Sequence, residues 1–226
     1  MISLGGSAII PNDKIDLKFL RDFRKLLLKH SKDYKIIVSC GGGTTARKYI
    51  NALDEFGSTY KMQSYIGIDV TRMHAKFINY IFGNKPLEDI PRSMNDVKKK
   101  LKIKDIIICG AFQYKPNQTS DSSSAEIAKE LNCSFINLTN VAGYYDKNPK
   151  KHKNAKLIPR TTWKDFNKAA IKMKFHPGQH FVLDQKASKI IMKNKIPTYI
   201  IGNSIKQLDN VLSGKKYNGT LIFGEF

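Results

Sequence analysis

Two glycine clusters, Gly5-Gly6 and Gly41-Gly42-Gly43, each stand at the carboxyl end of a short apolar run, a placement suited to phosphate chemistry. Without Cβ atoms the backbone N–H groups can approach a phosphate closely, while a following helix aims its positive end at the same point. Either cluster alone serves equally well as a tight strand-to-helix turn; the two together favour a shared crevice at the strand ends. The Walker A pattern Gly-x-x-x-x-Gly-Lys-Ser/Thr does not occur, which argues against a P-loop enzyme. Gly41-Gly42-Gly43-Thr44-Thr45-Ala46 fits the loose dinucleotide pattern. The acid that should bind a ribose, Asp69, falls in a helix-like segment with no strand before it, so a Rossmann dehydrogenase stands only as an alternative.

Other candidate groups are individually ordinary. Lys186 and Lys189 fall on a helix-like segment where, on composition alone, they are surface cations. Ser120-Asp121 opens another helix as an N-cap pair. His176 and His180 have the i, i+4 spacing of zinc-binding helices. Pro177-Gly178 between them prevents a regular helix and no third ligand lies nearby, so a loop is expected there and no metal site. His74 reads as a helix-surface or satisfied core histidine.

The elements that must position these residues alternate short apolar runs with amphipathic segments, the signature of βα units in a mostly parallel sheet covered on both faces. Strands are expected near 1–4, 35–40, 106–109, 134–138, 197–201 and 220–223. Helices are expected near 16–30, 44–56, 66–81, from 120 onward, 163–172, 184–193 and 205–212. Gly5-Gly6-Ser7 should close the first strand. The polar stretch 83–102 carries no clear assignment, and 143–159 reads as turns. The fold class is α/β, a three-layer αβα sandwich with a mainly parallel central sheet.

The 226 residues, 41% of them hydrophobic, can bury one good core, and no linker or solenoid repeat divides them. A formal charge of +20 suits a polyanionic partner. The lysines are scattered outside the apolar periodicity, so a small phosphorylated ligand is expected and nucleic-acid binding as the main role is not. Cys40, Cys109 and Cys133 lack C-x-x-C spacing and read as buried free thiols of a reducing compartment. Met1-Ile2-Ser3-Leu4 enters an apolar run without a basic leader, and no apolar stretch is long enough to span a bilayer; a cytoplasmic protein is expected. Asn137-Leu138-Thr139 is then an incidental glycosylation match.

Five segments in order carry a resemblance over nearly the whole chain. They are Gly5-Gly6-Ser7; Gly41 to Ile50 followed by Ile66-Gly67-Ile68-Asp69-Val70-Thr71-Arg72; Pro116-Asn117-Gln118-Thr119-Ser120-Asp121; Thr139 to Pro149; and Leu183 to Ile191 with Asn218-Gly219-Thr220. Together they resemble the archaeal-type uridylate kinases of the amino acid kinase superfamily. The resemblance implies one amino acid kinase domain over 1–226, with an acceptor-binding half at about 1–132 and an ATP-binding half at about 133–226. It implies phosphoryl transfer from Mg-ATP to UMP in pyrimidine nucleotide biosynthesis, and self-association, as a hexamer built from dimers. Same-fold alternatives are a kinase of isopentenyl phosphate, carbamate or an amino acid, or a non-catalytic nucleotide sensor.

By the same resemblance, ATP lies on Gly5, Gly6, Ser7, Gly43 and Arg47, with its base and ribose near Thr139, Asn140, Tyr145 and Asn148. UMP is held by Gly42, Ser64, Phe112, Gln113, Pro116, Asn117, Gln118, Thr119 and Ser120. Lys189, in the Asp-x-x-Ala-x-Lys pattern, neutralises the transferring phosphoryl group, with Lys186 as second choice, and Asp121 orients the lysine and acceptor-loop donors. Mg²⁺ is held by ATP oxygens and waters, which is why no carboxylate cluster is needed. The sequence departs from the family at Ser64, where an aspartate is usual, at Ala142 and Asn148, where acids are usual, and at Tyr114-Lys115, an apparent insertion. Ser3 stands where bacterial relatives carry a lysine. Tyr144-Tyr145, taken as an isolated pair, reads as core or interface packing.

Overall fold

The computed structural model describes residues 1–85, 89–116, 118–172 and 182–224. These residues form two compact units, one of residues 2–120 and the other of Met1 with residues 121–226.

The first unit is built on three parallel strands in the order β3-β2-β1: β1 (Ile2–Leu4), β2 (Ile36–Cys40) and β3 (Ile106–Cys109). Every residue of β1 and β2 is buried, as continuous apolar runs require of strands covered on both faces. The register is functionally decisive. Leu4 lies beside Cys40 and Ser39 beside Cys109, and the Gly41 amide donates to the Leu4 carbonyl at 2.9 Å. The chain segments after β1, β2 and β3 therefore leave the sheet at one level.

Around these strands run α1 (Gly6–Ile9), α2 (Leu17–His30), α3 (Gly43–Glu55), α4 (Tyr60–Ile81) and α5 (Met94–Leu101). Local chemistry sets their starts. Asp16, Thr59 and Ser93 each accept a backbone N–H from three residues ahead, at 2.9, 3.3 and 3.1 Å, satisfying donors that a helix start leaves orphaned. On α2 the buried residues Leu20, Phe23, Leu26, Leu27 and His30 recur at helical spacing and form its core stripe.

The second unit has strand order β4-β6-β7-β5, with β4 (Phe135–Thr139) parallel to β6 (Thr198–Gly202), β7 (Gly219–Ile222) antiparallel to β6, and β5 (Arg160–Thr161) parallel to β7. Its helices are α6 (Ser120–Glu130), α7 (Trp163–Lys172), α8 (Gln185–Lys193) and α9 (Ile205–Leu212). The Met1 amino group donates to the Ser134 carbonyl at 2.9 Å and the Met1 carbonyl accepts from Ile136 at 2.8 Å, which ties the chain start to β4. Among the described residues no helix is long and apolar enough to cross a membrane.

The α/β class and mainly parallel pairing agree with the sequence, and several local readings are corrected. Gly5 does end β1, but Gly6 and Ser7 already belong to α1. The helix expected from 66 begins six residues earlier, because Thr59 caps it; its first turns are largely exposed, and its buried residues start only at Val70. The unassigned stretch contains α5, capped by Ser93 and reinforced by Asp96, which accepts from the Arg92 amide at 3.1 Å. β5 follows the turn-rich segment; a two-residue strand is too short to carry a period. Cys40 and Cys109 are buried as expected, whereas Cys133 keeps partial exposure at a helix-to-strand turn. Asn117, His176 and His180 lie outside the described residues.

Candidate active site

The first unit presents three loops at its strand ends. The glycine clusters meet backbone to backbone: a Cβ on Gly6 would stand 2.5 Å from the Gly43 nitrogen and 2.7 Å from the Gly41 oxygen. Gly43 has a φ of +59°, and a Cβ there would come within 2.6 Å of the Gly6 carbonyl carbon. Only glycine fits at both points. Gly42 is the N-cap of α3, so the free N–H groups and dipole of this 13-residue helix start inside the loop. Gly5 and Ser7 are partly exposed beside it, and Arg47 is exposed on the first turns of α3, donating to the Thr44 hydroxyl at 3.1 Å. Of the residues expected around phosphates, Gly5, Gly6, Ser7, Gly42, Gly43 and Arg47 thus share one neighbourhood.

The third loop, after β3, carries the expected acceptor residues and leans on α4. A Cβ on Gly110 would lie 2.8 Å from the Arg72 nitrogen. The Ala111 amide donates to the Thr71 hydroxyl at 2.9 Å, and Arg72 donates to the carbonyls of Ala111, at 3.1 Å, and Phe112. Tyr114, which looked inserted, packs its ring 5.6 Å from that of Tyr65 on α4. Phe112, Gln118, Thr119 and Ser120 are partly exposed, and Gln113 and Pro116 are exposed. Ser64 lies on α4, but its hydroxyl donates to the Tyr60 carbonyl of its own helix at 2.8 Å. Asp69 stands on the same helix, exposed, 3.5 Å from Arg72.

His74 is neither on the surface nor satisfied. It is 2% exposed; Nδ1 lies 2.8 Å from the Gly41 carbonyl oxygen, and Nε2 is buried without a hydrogen-bond partner among the described residues. Below the loops, burial pushes the Cys109 thiol up to about 12 and the Cys40 thiol well up, so neither is a nucleophile at neutral pH.

In the second unit, Thr139 ends β4 and its carbonyl accepts from the Asn203 amide at 2.9 Å; Asn140 beyond it is exposed. The segment after it is stapled by Thr220, which is 0% exposed. The Tyr144 amide donates to the Thr220 hydroxyl at 2.8 Å, and that hydroxyl donates to the Ile158 carbonyl at 2.6 Å. Gly143 packs so tightly here that a Cβ would fall 2.7 Å from the same hydroxyl oxygen. Tyr145 pairs with Leu157 in a short bridge, and the Tyr144 ring meets Phe166 edge-on at 5.2 Å, the packing role expected of an aromatic pair. Asn148 accepts the Lys150 amide at 2.9 Å, a side-chain turn that closes the loop. Thr220 is a positioning residue to which the sequence attached no role, although the Asn218-Gly219-Thr220 motif marked its place.

The expected catalytic residues also fall in this unit. Asp121 is in the first turn of α6, one residue inside the helix instead of capping it. Although the residue retains some exposure, desolvation of its carboxyl and then the Asp184 charge push it up to about 7. Asp184 caps α8, accepting from the Lys186 and Ala187 amides at 2.7 and 2.9 Å. Lys186 is partly exposed and Lys189, one turn on, is exposed. Asp184 was visible only as a motif letter; its charge beside Asp121 is a tertiary fact. Among the described residues no group of three or more His, Cys, Asp or Glu side chains could hold a metal ion.

Comparison with known proteins places this geometry. The model of the amino acid kinase family matches residues 1–202. A uridylate kinase from Thermococcus kodakarensis is 34% identical over 224 residues, covering 98% of each chain. A uridylate kinase from Methanocaldococcus jannaschii is 29% identical over 226 residues, covering 99% of each. The crystal structure of a uridylate kinase from Archaeoglobus fulgidus superposes with a TM-score of 0.84 at 28% identity, covering 98% of each chain.

Proposed function

The chain belongs to the amino acid kinase family, and from that premise we propose that it transfers the γ-phosphoryl group of ATP to UMP, giving UDP and ADP. The observation that carries this reading is the backbone contact of Gly6 with Gly43 at the start of α3. It leaves N–H groups and a helix dipole at the ends of parallel strands, where a polyphosphate binds. The full-length similarity to uridylate kinases supports UMP as the acceptor.

An oxygen of the UMP phosphate, already anionic at neutral pH, forms the new bond to the γ-phosphorus. The bond from that phosphorus to the β–γ bridging oxygen breaks, and ADP leaves with its electron pair. No strong general base is needed; positioning and charge stabilisation do the work. Gly5, Gly6, Ser7, Gly43 and Arg47 hold the ATP phosphates, while Thr139, Asn140, Tyr145 and Asn148 hold its base and ribose. Gly42 and the loop from Phe112 through Gln113, Pro116, Asn117, Gln118 and Thr119 to Ser120 hold UMP, with Ser64 nearby. Lys189, exposed and unpaired among the described residues, neutralises the transferring group, and Lys186 supports it. Asp121 orients the lysine, and a cation beside it favours its ionised form.

Magnesium enters with ATP as the Mg-ATP substrate, its ligands being phosphate oxygens and waters. The two units act as one kinase domain in the cytoplasm, an environment that suits three free thiols. Self-association, as a hexamer, is supported by exposed apolar side chains on and next to α3 and α4, among them Tyr49, Phe56, Tyr60, Met62 and Met73. Light scattering that returned the 25.7 kDa of a single chain would exclude it.

The test is coupled ADP release with Mg-ATP against UMP, CMP, dTMP, isopentenyl phosphate, carbamate and N-acetylglutamate. UMP is expected to be strongly preferred, and Lys189→Ala to lower kcat by about 10²-fold or more. Preference for another acceptor overturns the substrate, and ATP binding without any turnover overturns the reaction.

A further inference from the structure

One turn of α4 touches both loops that the UMP reading assigns to the acceptor, and none of its side chains belongs to the substrate contacts named above. We propose that Thr71, Arg72 and His74 are positioning residues of the acceptor site: His74 sets the glycine loop through Gly41, while Thr71 and Arg72 set the acceptor loop through Ala111 and Phe112. This inference rests on the UMP kinase reading for the identity of the acceptor.

His74 gives the clearest sign. A carbonyl oxygen only accepts, so the contact of Nδ1 with Gly41 at 2.8 Å fixes the tautomer with its proton on Nδ1. Nε2 is buried and meets no hydrogen-bond partner among the described residues. A side chain kept 2% exposed with one polar atom unsatisfied is poor packing material, since an apolar residue would fill the space without the desolvation loss. What it contributes is the bond to Gly41. The Gly41–Gly42 peptide is planar and trans, so its C=O and N–H point in opposite directions. Holding the oxygen toward α4 therefore turns the Gly42 N–H away from the helix, and Gly42 is the loop residue assigned to the UMP phosphate.

The acceptor loop is held in the same way from the same turn. The Thr71 hydroxyl donates to the Ile68 carbonyl at 2.7 Å, which leaves its oxygen facing the Ala111 N–H. Arg72 spends Nε and Nη2 on two successive carbonyls and Nη1 on Asp69. Its guanidinium is thus engaged with protein, 24% exposed at the side chain, and serves as a brace. The loop has no slack against α4, because a single added carbon at Gly110 would already collide with the helix backbone. Thr71 and His74 are one turn apart, so a rigid helix fixes the spacing of the two loops that must grip one small molecule.

The test uses the full chain with His74→Leu, His74→Asn, Arg72→Met and Thr71→Val. Asn carries an amide donor where Nδ1 stood, so it restores the Gly41 bond without the imidazole. In the absence of nucleotides, amide exchange at 41–43 should quicken in His74→Leu and at 110–116 in Arg72→Met and Thr71→Val, with the strands unchanged. In turnover, His74→Leu and Arg72→Met should each raise KM for UMP about tenfold or more, with a smaller loss in kcat, and His74→Asn should stay within about threefold of the parent. Arg72→Met should leave KM for ATP within about twofold.

Unchanged loop exchange, unchanged KM for UMP, or an Asn variant as impaired as Leu overturns the inference. Should His74→Leu fail to fold, Arg72→Met, Thr71→Val and the Asn variant still decide it. If the parent turns over a different acceptor, the UMP assignment alone is lost, and the same KM ratios are read with that acceptor. If it turns over none, the function reading is lost and loop exchange decides the positioning claim.

Discussion

The two units hold their loops by different means. In the first, side-chain bonds from Thr71, Arg72 and His74 are joined by backbone packed on backbone: Gly6 against Gly43, and Gly110 against Thr71 and Arg72, with no room for a Cβ at either contact. In the second, side chains do the holding: Thr220 ties Tyr144 to Ile158, Asp146 accepts the Lys156 amide at 2.8 Å, and Asn148 caps its own turn. The difference fits what each loop is proposed to grip. Phosphates are bound by N–H groups, which only a close-packed, side-chain-free backbone can bring together. A base and ribose need a shaped pocket, for which hydrogen-bonded side chains suffice.

The comparison breaks most easily at Gly6. Gly6→Ala must displace Gly43 backbone, so kcat/KM is expected to fall by about 10²-fold or more, with KM for ATP raised. A near-normal alanine variant would mean that the close contact is not what forms the phosphate loop.

Asp121 gives the next effect, and its sign is fixed. Its carboxyl is raised from 3.8 to about 7, so between those values the folded state holds a proton that the unfolded chain has released. Its contribution to stability is fully present below the unfolded value and is lost as pH rises through about 7. Asp121→Asn should therefore unfold at higher denaturant than the parent above pH 7, by on the order of a few kcal/mol. If the ionised carboxylate orients Lys189, kcat/KM of the parent falls below pH about 7, and the Asn variant loses that limb along with much of its rate. A parent profile flat from pH 5 to 8 (roughly the His-to-carboxylate range) would remove Asp121 from the mechanism.

Thr220→Val keeps the shape but strands the Tyr144 N–H and the Ile158 carbonyl, at a cost of about 1–3 kcal/mol each. KM for ATP should rise several-fold with KM for UMP little changed; the reverse pattern would undo the division of labour between the units. Asn148→Ala is expected to be the mildest change, about 1 kcal/mol or less and a small rise in KM for ATP, because it removes one turn hydrogen bond at a half-exposed site.

Much of this was legible in the chain. Continuous apolar runs announced β1, β2 and β3, and the glycine clusters after the first two marked the loops proposed to hold phosphates, since both signals are local. α5 was missed although Met94, Val97 and Leu101 recur at helical spacing, because eight residues set in a polar, lysine-rich stretch give a short signal, and β5 because two residues carry no period. The role of Thr220 could not be read, because a hydroxyl at position 220 and an amide at 144 meet only through the pairing of β6 with β7 and of β7 with β5.

The sequence by itself determined the α/β class, the order of the longer elements and the family, because propensity, period and motif are properties of neighbours along the chain. Only the tertiary structure decided that His74 is buried against Gly41, that Arg72 braces the acceptor loop, and that Asp121 shares its surroundings with Asp184. These depend on strand register and helix packing, which bring together groups tens of residues apart and set both their hydrogen bonds and their desolvation.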